Sequence, residues 1–474
     1  MPKRTSARNE NAPSSQTDGG QDAVSEQSVV MNQRASRRTF IQSGGIMLAG
    51  GSVLGTNLSV ARGAHAYGDD TLKIGLIGCG SRGTNAVIQA MNTDGATRLV
   101  AMADVFESNV QSSYRAIKSK HGKSDSHGQR VDVEGARFIG LDGWKHVLQS
   151  DADIVFLATP PGFRPLHFEK AIEAGKHVFM EKPVATDAPG VRRVLAANEI
   201  AKQKGLAVAV GLQRHHEARY RECIEQLHEG AIGDPIFARA YWNGAGSKLR
   251  PRPNNVSELE YQLRQWQHFN WIGGDHIAEQ HVHNLDVINW LLGEYPATAQ
   301  GQGGRDTRSD QTLGETFDHH MIEFTYSNDV RLLSQCRHVR GCWNSVSEHV
   351  HGAKGSCDVS AAIIRDTSGK IVWQSSQKNS KDKGCQQAQN DLFASLRNGE
   401  IPNEGDYGAT STMTAIMGRM ASYSGKIVRW NEALQSEQLL ADVDAMHSLR
   451  DIAPVQPLPN GNYEVAIPGQ TKVI

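Results

Sequence analysis

The feature that most constrains the fold is a glycine-rich turn between a predicted strand and a predicted helix. The apolar run TLKIGLIG, residues 71–78, leads directly into GCGSRG, residues 78–83, and then into NAVIQAM, which has helical spacing. In this G-x-G-x-x-G pattern Gly78 permits a tight turn, Gly80 the close approach of a pyrophosphate, and Gly83 the packing of helix on strand. The helix N-terminus attracts negative charge. The motif therefore predicts a dinucleotide-binding turn.

The next predicted strand supports this interpretation. TRLVAMAD ends in Asp104, 21 residues after Gly83, where an acid hydrogen-bonds the adenosine ribose of a dinucleotide. The following VFESN contains no Arg or Lys for a 2′-phosphate, which favours NAD(H) over NADP(H). We expect Cys79, Ser81 and Arg82 to contact the cofactor together with the glycines. The alternative is a glycine turn that binds nothing.

Strands and helices continue to alternate after this motif. The predicted strands DADIVFLATPP, KHVFMEKP and LAVAVG are separated by helical segments, which indicates a doubly wound parallel sheet. Ligands bind beyond the carboxyl ends of the strands in such sheets. Thr159, Pro160, Glu181 and Lys182 fall at that edge, and we expect them to bind the cofactor. Lys182 could also orient a substrate hydroxyl or, if desolvated, help to move its proton.

A second candidate site lies in a later helical segment. Asp275, Glu279 and His283 are spaced i, i+4, i+8, which places them along one stripe of a single predicted helix. An acid beside a histidine raises the imidazole pKa and fixes its tautomer, which suits a group that takes a proton from a hydroxyl. A solvated acidic face and a metal site are the alternatives. Because no complete ligand set is evident, we predict no metal.

These motifs resemble those of the Gfo/Idh/MocA oxidoreductases. The matching elements are GCGSRG, Asp104, the ATPP turn at 158–161, EKP at 181–183 and HNLDVINWLLG at 283–293, within a resemblance over about residues 71–435. The resemblance implies a C-terminal α/β domain with a large, mostly antiparallel open sheet, an NAD(P) cofactor, a sugar or cyclitol substrate, and a homo-oligomer. It also places Lys182 near the nicotinamide and His283 against the reacting carbinol.

The chain departs from the family pattern in the second site. The family commonly has D-x-G-x-H where this chain has Glu279-Gln280-His281-Val282-His283. Glu279 replaces the Asp and His281 replaces the Gly, which alters the floor of the pocket. We expect the longer Glu279 side chain to support His283 all the same.

The segment from Tyr241 to Asp275 has the composition of a sugar-binding loop. Aromatic faces stack on the C–H surfaces of sugars, and arginines satisfy hydroxyls. We therefore expect Trp242, Trp266 and Trp271 to contact the substrate, together with Arg214. A packing loop or an oligomer contact is the alternative. Further on, FDHHMIEFTYSNDVRLLSQCRH alternates with period two, which predicts an antiparallel hairpin.

The N-terminal region differs from the rest of the chain. Residues 1–35 are rich in Ser, Gln, Asn and Gly, which is typical of disorder. Arg37-Arg38, the weakly apolar run 43–60 and Ala64-His65-Ala66 together look like a twin-arginine export signal. The run is too polar for a transmembrane helix, so we expect no membrane span in the mature chain. A basic tail before a core helix and an uncleaved anchor are the alternatives.

Charge and cysteine content argue against a nucleic-acid-binding, membrane-surface or zinc-finger protein. The chain has 50 basic and 51 acidic residues, so it has no overall basic charge for binding nucleic acid or a membrane surface. Its six cysteines show no CxxC and no zinc spacing. Cys336 and Cys342 could pair in an oxidising compartment, although free buried thiols are more common.

We therefore expect three parts: a leader and signal over 1–66, a Rossmann-type NAD-binding domain over 67–210, and a substrate and oligomerisation domain over 211–474. The first functional hypothesis is an exported, periplasmic NAD(H)-dependent oxidoreductase for a sugar or cyclitol. Because free NAD is scarce outside the cytoplasm, the second is a glycosidase, epimerase or lyase that recycles tightly held NAD. The third is a non-catalytic sugar-binding protein, against which the presence of Lys182 and His283 argues.

Overall fold

The described part of the chain contains two open β-sheets with packed helices. The computed structural model describes residues 71–246, 251–307, 314–377 and 381–474. The predicted leader over 1–66, with Arg37 and Arg38, lies outside these ranges. Across the described ranges, no helix combines the length and the hydropathy that a membrane crossing requires.

The first sheet has six parallel strands. Its elements, in chain order, are β1 (Leu72–Ile77), α1 (Ser81–Met91), β2 (Thr97–Asp104), α2 (Glu107–His121), β3 (Arg137–Ile139), α3 (Gly143–Gln149), β4 (Ile154–Leu157), α4 (Arg164–Glu173), β5 (His177–Met180), α5 (Ala188–Lys204) and β6 (Val208–Val210). The strand order is β3-β2-β1-β4-β5-β6. Strands β4 and β5 are buried along their whole length, as expected where helices cover both faces. The predicted doubly wound parallel sheet is confirmed.

Local sequence sets the ends of the longest helix of this sheet. The side chain of Asp187 accepts a hydrogen bond from the Gly190 N–H at 2.8 Å, which caps the first turn of α5. The helix ends at Gly205, whose φ of 63° is left-handed and suits a glycine.

The second sheet has nine strands and follows in the chain. Its elements are α6 (Ala218–His228), β7 (Pro235–Gly244), α7 (Glu258–Arg264), α8 (Asn270–Gly273), α9 (Asp275–Glu279), α10 (Val282–Leu292), β8 (Thr298–Gly304), β9 (His319–Thr325), β10 (Arg331–His338), β11 (Ser345–Gly352), β12 (Gly355–Asp358), β13 (Ile363–Asp366), β14 (Ile371–Gln374), α11 (Lys381–Arg397), α12 (Gly405–Ser424), β15 (Val428–Arg429) and α13 (Trp430–Gln435). The strand order is β14-β13-β12-β11-β7-β10-β9-β8-β15. Only the β7–β10 pair is parallel among these neighbours, so the expected mostly antiparallel sheet is confirmed.

One face of the second sheet packs on helices and the other is open. The predicted hairpin is β9–β10, with Thr325 opposite Arg331. Along β10, Leu332, Ser334 and Cys336 are buried, while the alternate residues are more exposed. On the open face Met321 is 46% exposed. Helices α10 and α12 cover the buried face.

Helix α11 returns from the second half of the chain to the first. Phe393 belongs to the apolar core that covers the first sheet, and its ring centroid lies 6.4 Å from that of Phe156 on β4. The Gln386 side chain donates to the backbone oxygen of Gln89 at 2.8 Å. Residues that we assigned to a C-terminal domain thus complete the core of the N-terminal one.

The six cysteines lie within the described residues and are free thiols. Cys336 is buried and Cys342 half-buried, and they do not pair. The two cysteines that do meet are Cys223 on α6 and Cys357 on β12, with 3.4 Å between their sulfur atoms.

A buried histidine in the first sheet makes the stability of the folded protein depend on pH. His177 at the start of β5 is 7% exposed, and its Nδ1 accepts a hydrogen bond from the Ala207 N–H at 2.9 Å. Burial lowers the pKa of His177 from 6.5 to about 4. Between these two pH values the unfolded chain binds a proton that the folded protein does not bind, so stability falls as the pH falls.

We predict that His177 reduces the free energy of unfolding by about 2 kcal/mol between pH 7 and pH 5. His177→Gln keeps an acceptor for Ala207 and should remove this part of the pH dependence. Urea unfolding at the two pH values measures it, with the exposed His127→Gln as the control that keeps the wild-type slope. Equal slopes for His177→Gln and the wild type would contradict the prediction.

Candidate functional site

A cavity of about 410 Å³ opens at the carboxyl ends of β1, β2, β4 and β5. It is lined by eleven of the residues expected at the site: Gly78, Gly80, Ser81, Arg82, Asp104, Thr159, Pro160, Glu181, Lys182, Trp266 and Glu279. This edge is where a doubly wound sheet binds its ligands. The structure therefore brings the cofactor motif, the EKP motif and one residue of the later segment into one cavity.

The three glycines of the turn serve different purposes. Gly78 has a φ of 99°, and a Cβ there would lie 2.5 Å from the backbone of Ala158 and Thr159. A Cβ on Gly83 would lie 2.0 Å from the Gly78 oxygen, so this glycine is needed for packing. Gly80, just before α1, has open space around its Cβ position. That space at a helix N-terminus fits a pyrophosphate.

Asp104 lies at the end of β2, beside the glycine turn. Its carboxylate accepts hydrogen bonds from the Cys79 N–H at 2.7 Å, the Phe106 N–H at 2.9 Å and the Asn109 side chain at 3.0 Å. Burial raises the pKa of Asp104, while these hydrogen bonds lower it. The carboxylate is thereby fixed in the cavity wall, where it can accept ribose hydroxyls. Cys79 contributes its backbone, because its thiol is buried against the Ala103 oxygen.

Lys182 and Glu279 meet across the two halves of the protein. Lys182 Nζ donates to the backbone oxygen of Glu279 and lies 3.6 Å from its carboxylate. The two side chains are 13% and 17% exposed, so the pair is shielded but open to the cavity. We expected Glu279 to orient His283, and this was wrong because the Glu279 carboxylate lies against Lys182.

The single helix expected from Asp275 to His283 was also wrong. It is two helices, α9 and α10, separated at Gln280 and His281. His281 is fully buried, and its Nε2 lies 2.7 Å from Ser334 Oγ on β10. Because the helix is broken there, Asp275 and Glu279 do not continue the stripe of His283.

His283 is buried beside the cavity rather than in its lining. Its side chain is 7% exposed and stacks on Trp242, with 6.0 Å between the ring centroids. Within the described chain, His283 Nδ1 has no hydrogen-bond partner. Burial and then the charge of Lys182 hold the pKa of His283 well below its ordinary value. The imidazole is therefore neutral, which leaves one of its ring nitrogens without a proton.

The residues expected to bind substrate are divided by the structure. Trp266 lines the cavity, and Trp242 stacks on His283. Trp271 is a core residue, 1% exposed, with its Nε1 donating to Gln262 at 2.7 Å, so its expected role in binding substrate was wrong. Arg214 is likewise buried, in an ion pair of 2.6 Å with Glu348, and has no place in the cavity lining.

Sequence reasoning did not identify Arg164, which holds two walls of the cavity together. Its guanidinium donates to the backbone oxygens of Thr159 and Pro183, which belong to the ATPP and EKP loops. It is 1% exposed, and burial lowers its pKa to about 10. The sequence feature that could have indicated this role is an arginine shortly after the Pro-rich turn. The ion pair of 2.5 Å between Arg82 and Glu181 completes this wall.

Two family profiles cover most of the chain. Residues 72–212 match an oxidoreductase family with an NAD-binding Rossmann fold, and residues 224–458 match the C-terminal α/β domain of the same family. The chain belongs to the Gfo/Idh/MocA oxidoreductase family. The glycine turn, Asp104 and the cavity fit NAD(H), the cofactor that gives the first of these domains its name.

Known proteins are similar to this chain in sequence or in fold. An inositol 2-dehydrogenase from Ralstonia nicotianae is 28% identical over 241 residues, which are 50% of this chain and 59% of the relative. A scyllo-inositol dehydrogenase from Lactobacillus casei, solved with NAD(H) and scyllo-inositol, is similar at 19% identity with a TM-score of 0.56 over 76% of this chain and all of that one. An aldose-aldose oxidoreductase from Caulobacter crescentus is similar at 20% identity, with a TM-score of 0.59 and the same coverage. The chain thus spans just over half the length of the curated relative.

We predict opposite behaviour for two glycine substitutions in the same turn. Gly80→Ala should fold normally, because its Cβ enters open space, but should weaken NAD(H) binding by filling the space for the pyrophosphate. Gly83→Ala should lower thermal stability, because its Cβ meets the Gly78 oxygen at 2.0 Å. Thermal unfolding and NADH fluorescence titration measure the two effects. Unchanged NADH affinity in a folded Gly80→Ala protein would contradict the assignment of Gly80.

Proposed function

We propose that the protein is an NAD(H)-dependent oxidoreductase that acts on a carbinol of a sugar or cyclitol. The observation that carries the proposal is the meeting of Lys182 and Glu279 in the cavity that holds the dinucleotide turn. The inositol dehydrogenases among its relatives support a polyhydroxylated ring as substrate.

The charges of the chain suit proton transfer from a hydroxyl. NAD⁺, held by the glycine turn and Asp104, would supply the hydride acceptor for oxidation of the carbinol. The Lys182 ammonium donates a hydrogen bond to the substrate oxygen and stabilises its negative charge as the proton leaves. We assign the base that takes that proton to His283, whose imidazole is neutral although burial and the charge of Lys182 also weaken it as a base. In the reverse direction the imidazolium returns it.

Glu279 adds a carboxylate to the cavity, close to Lys182. Its carboxylate, 3.6 Å from Lys182, can accept a proton from a ring carbon or a neighbouring hydroxyl of an oxidised sugar. A simple dehydrogenation does not require such a group, whereas epimerisation, elimination or glycoside cleavage after transient oxidation does. This favours, as a second candidate, an enzyme that holds NAD tightly and recycles it.

Lys182→Met should reduce kcat by about a hundredfold or more, because the substrate oxygen loses its charged donor. The affinity for NADH should change little, because the glycine turn and Asp104 remain. The control is Lys170→Met, which removes an exposed lysine that pairs with Glu173 on α4. Turnover at saturating sugar and NADH fluorescence titration measure the two quantities. Equal kcat for Lys182→Met and the control would exclude the proposed role.

The balance of NADH distinguishes the two candidates. The native protein is denatured and its released cofactor is quantified by mass spectrometry, and a panel of sugars and cyclitols is then assayed. Net NADH from a sugar supports the dehydrogenase. Product without net NADH, lost in both Lys182→Met and Glu279→Gln, supports recycling. Glu279→Gln should leave simple dehydrogenation largely intact. A protein that neither contains nor binds NAD(H) would leave only the sugar-binding hypothesis.

We also propose that the protein is exported in a folded state. The support is the Arg37-Arg38 pair, the weakly apolar run 43–60 and the Ala-x-Ala site in the sequence. A folded route would carry NAD bound in the cytoplasm to a compartment where free NAD is scarce. Replacing Arg37 and Arg38 by Lys should retain the protein in the cytoplasm. Fractionation of cells that express both versions tests this, and equal distribution would contradict it.

Self-association is the last part of the proposal. The open face of the second sheet exposes Met321 and half-buries Leu333 beside it, which would suit contact with a second copy. Light scattering with Met321→Glu tests whether the oligomer forms through this face.

A further inference from the structure

Two histidines and a cysteine converge behind the catalytic cavity. His276 lies at the start of α9, and His320 and Cys336 face one another on β9 and β10. One imidazole nitrogen from each histidine and the Cys336 sulfur all lie within 4.8 Å of one another. The three side chains are at most 4% exposed. None of them belongs to the cofactor cavity or to the proposed proton transfer.

Both histidines are held in the orientation that a metal ion requires. Nδ1 of His276 lies 2.7 Å from the Asp275 carboxylate, and Nδ1 of His320 lies 2.9 Å from Ser422 Oγ. With Nδ1 as the donor in each contact, Nε2 is left with its lone pair. A carboxylate or hydroxyl on the far nitrogen is the usual support of a metal-binding histidine, because it fixes the tautomer and the ring.

The two Nε2 atoms lack hydrogen bonds in a buried environment. Neither has such a partner among the described residues, and both are shielded from solvent. His320 Nε2 lies 3.2 Å from the Asp275 carboxylate, but without hydrogen-bond geometry. Buried polar atoms are normally satisfied, so two imidazole nitrogens without hydrogen bonds near one cysteine point to a missing partner. A cation would satisfy both of them.

We propose that His276, His320 and Cys336 bind a zinc ion through the two Nε2 atoms and a thiolate. Two imidazoles and one sulfur form a borderline-soft ligand set that suits zinc, and three protein ligands are sufficient to hold it. Zinc–ligand bonds of about 2.0–2.3 Å require ligand atoms about 3.3–3.7 Å apart, which small rotations of these side chains would give. On binding, the Cys336 thiol releases its proton to solvent.

The surrounding charges balance the ion. The Cys336 thiolate contributes one negative charge, and the buried Asp275 carboxylate contributes another. Asp275 accepts hydrogen bonds from the Phe317 N–H and the Tyr423 hydroxyl as well as from His276, so it is fixed beside the ion. Together the two charges neutralise Zn²⁺ in a place where a net charge would be costly.

The position of the ion gives it a structural consequence. Asp275 has a φ of 66°, which is unusual for a residue other than glycine, and a metal bond at His276 would hold the chain there. Glu279 lies at the other end of the same short helix and faces Lys182. The ion would therefore fix the element that carries Glu279. The proposal does not depend on the enzymatic function, because metal content is measured directly.

The test uses the full chain purified without a polyhistidine tag. Mass spectrometry of metals should find about one zinc per chain. A chelator should remove the zinc and lower the melting temperature, and added Zn²⁺ should restore both. Co²⁺ in place of zinc should give a sulfur-to-cobalt charge-transfer band. A folded wild-type protein that binds neither metal would overturn the proposal without any variant.

Matched variants assign the ligands. Cys336→Ser and His320→Asn should each lose zinc, and Cys336→Ser should also lose the charge-transfer band. The controls are Cys357→Ser, another buried cysteine of the same sheet, and His319→Asn, the more exposed neighbour paired with Asp318. Both controls should retain one zinc and the wild-type spectrum. An unchanged cobalt spectrum in Cys336→Ser, or loss of it in Cys357→Ser, would exclude the assigned site.

Discussion

The structure depends on the close approach of two backbone turns at the tip of the first sheet. At Gly78 even a single Cβ would lie 2.5 Å from the turn after β4, so the turns touch through backbone atoms. Arg164 then ties the turn after β4 to the loop after β5 through two carbonyl oxygens. Three loops are thereby fixed by one backbone contact and one buried arginine side chain. The position of Lys182, on the third loop, follows from this arrangement.

The charge state of His283 follows from burial more than from an ion pair. Among the described residues no carboxylate contributes to the shift of the His283 pKa; burial, then the Lys182 charge, keeps the imidazole neutral. Lys182 in turn lies beside a carboxylate supplied by the other half of the chain. The two halves therefore each contribute one group to the pair, and a change in their relative position would alter both.

Features set by local sequence could be predicted. The glycine turn, Asp104 and the alternation of strands and helices depend on neighbouring residues, and the structure has them where they were expected. The mostly antiparallel second sheet followed from the family resemblance and from the alternation around β9 and β10. The EKP lysine was placed correctly because strand ends of a parallel sheet meet at one edge.

Features set by distant partners could not be predicted. At the break between α9 and α10, His281 contacts Ser334, which is 53 residues away. The pairing of Glu279 with Lys182 rather than with His283 also depends on a distant residue. Helical spacing within one segment does not indicate contact with a lysine of another domain. Arg214 and Trp271 are residue types common in sugar-binding sites. In the fold, however, Arg214 forms an ion pair with Glu348, and Trp271 donates a hydrogen bond to Gln262. The residues of the cluster around His276 come from three separate elements, so their spacing along the sequence forms no recognisable metal-binding motif.

The return of α11 to the first sheet has a consequence for the order of events during synthesis. All six strands of that sheet leave the ribosome long before Phe393. This residue packs against Phe156 and covers one side of the sheet. Until then an apolar surface stays open to water and to chaperones. The N-terminal half is thus a late-maturing unit despite being made early, and it gains its full core only when most of the chain exists.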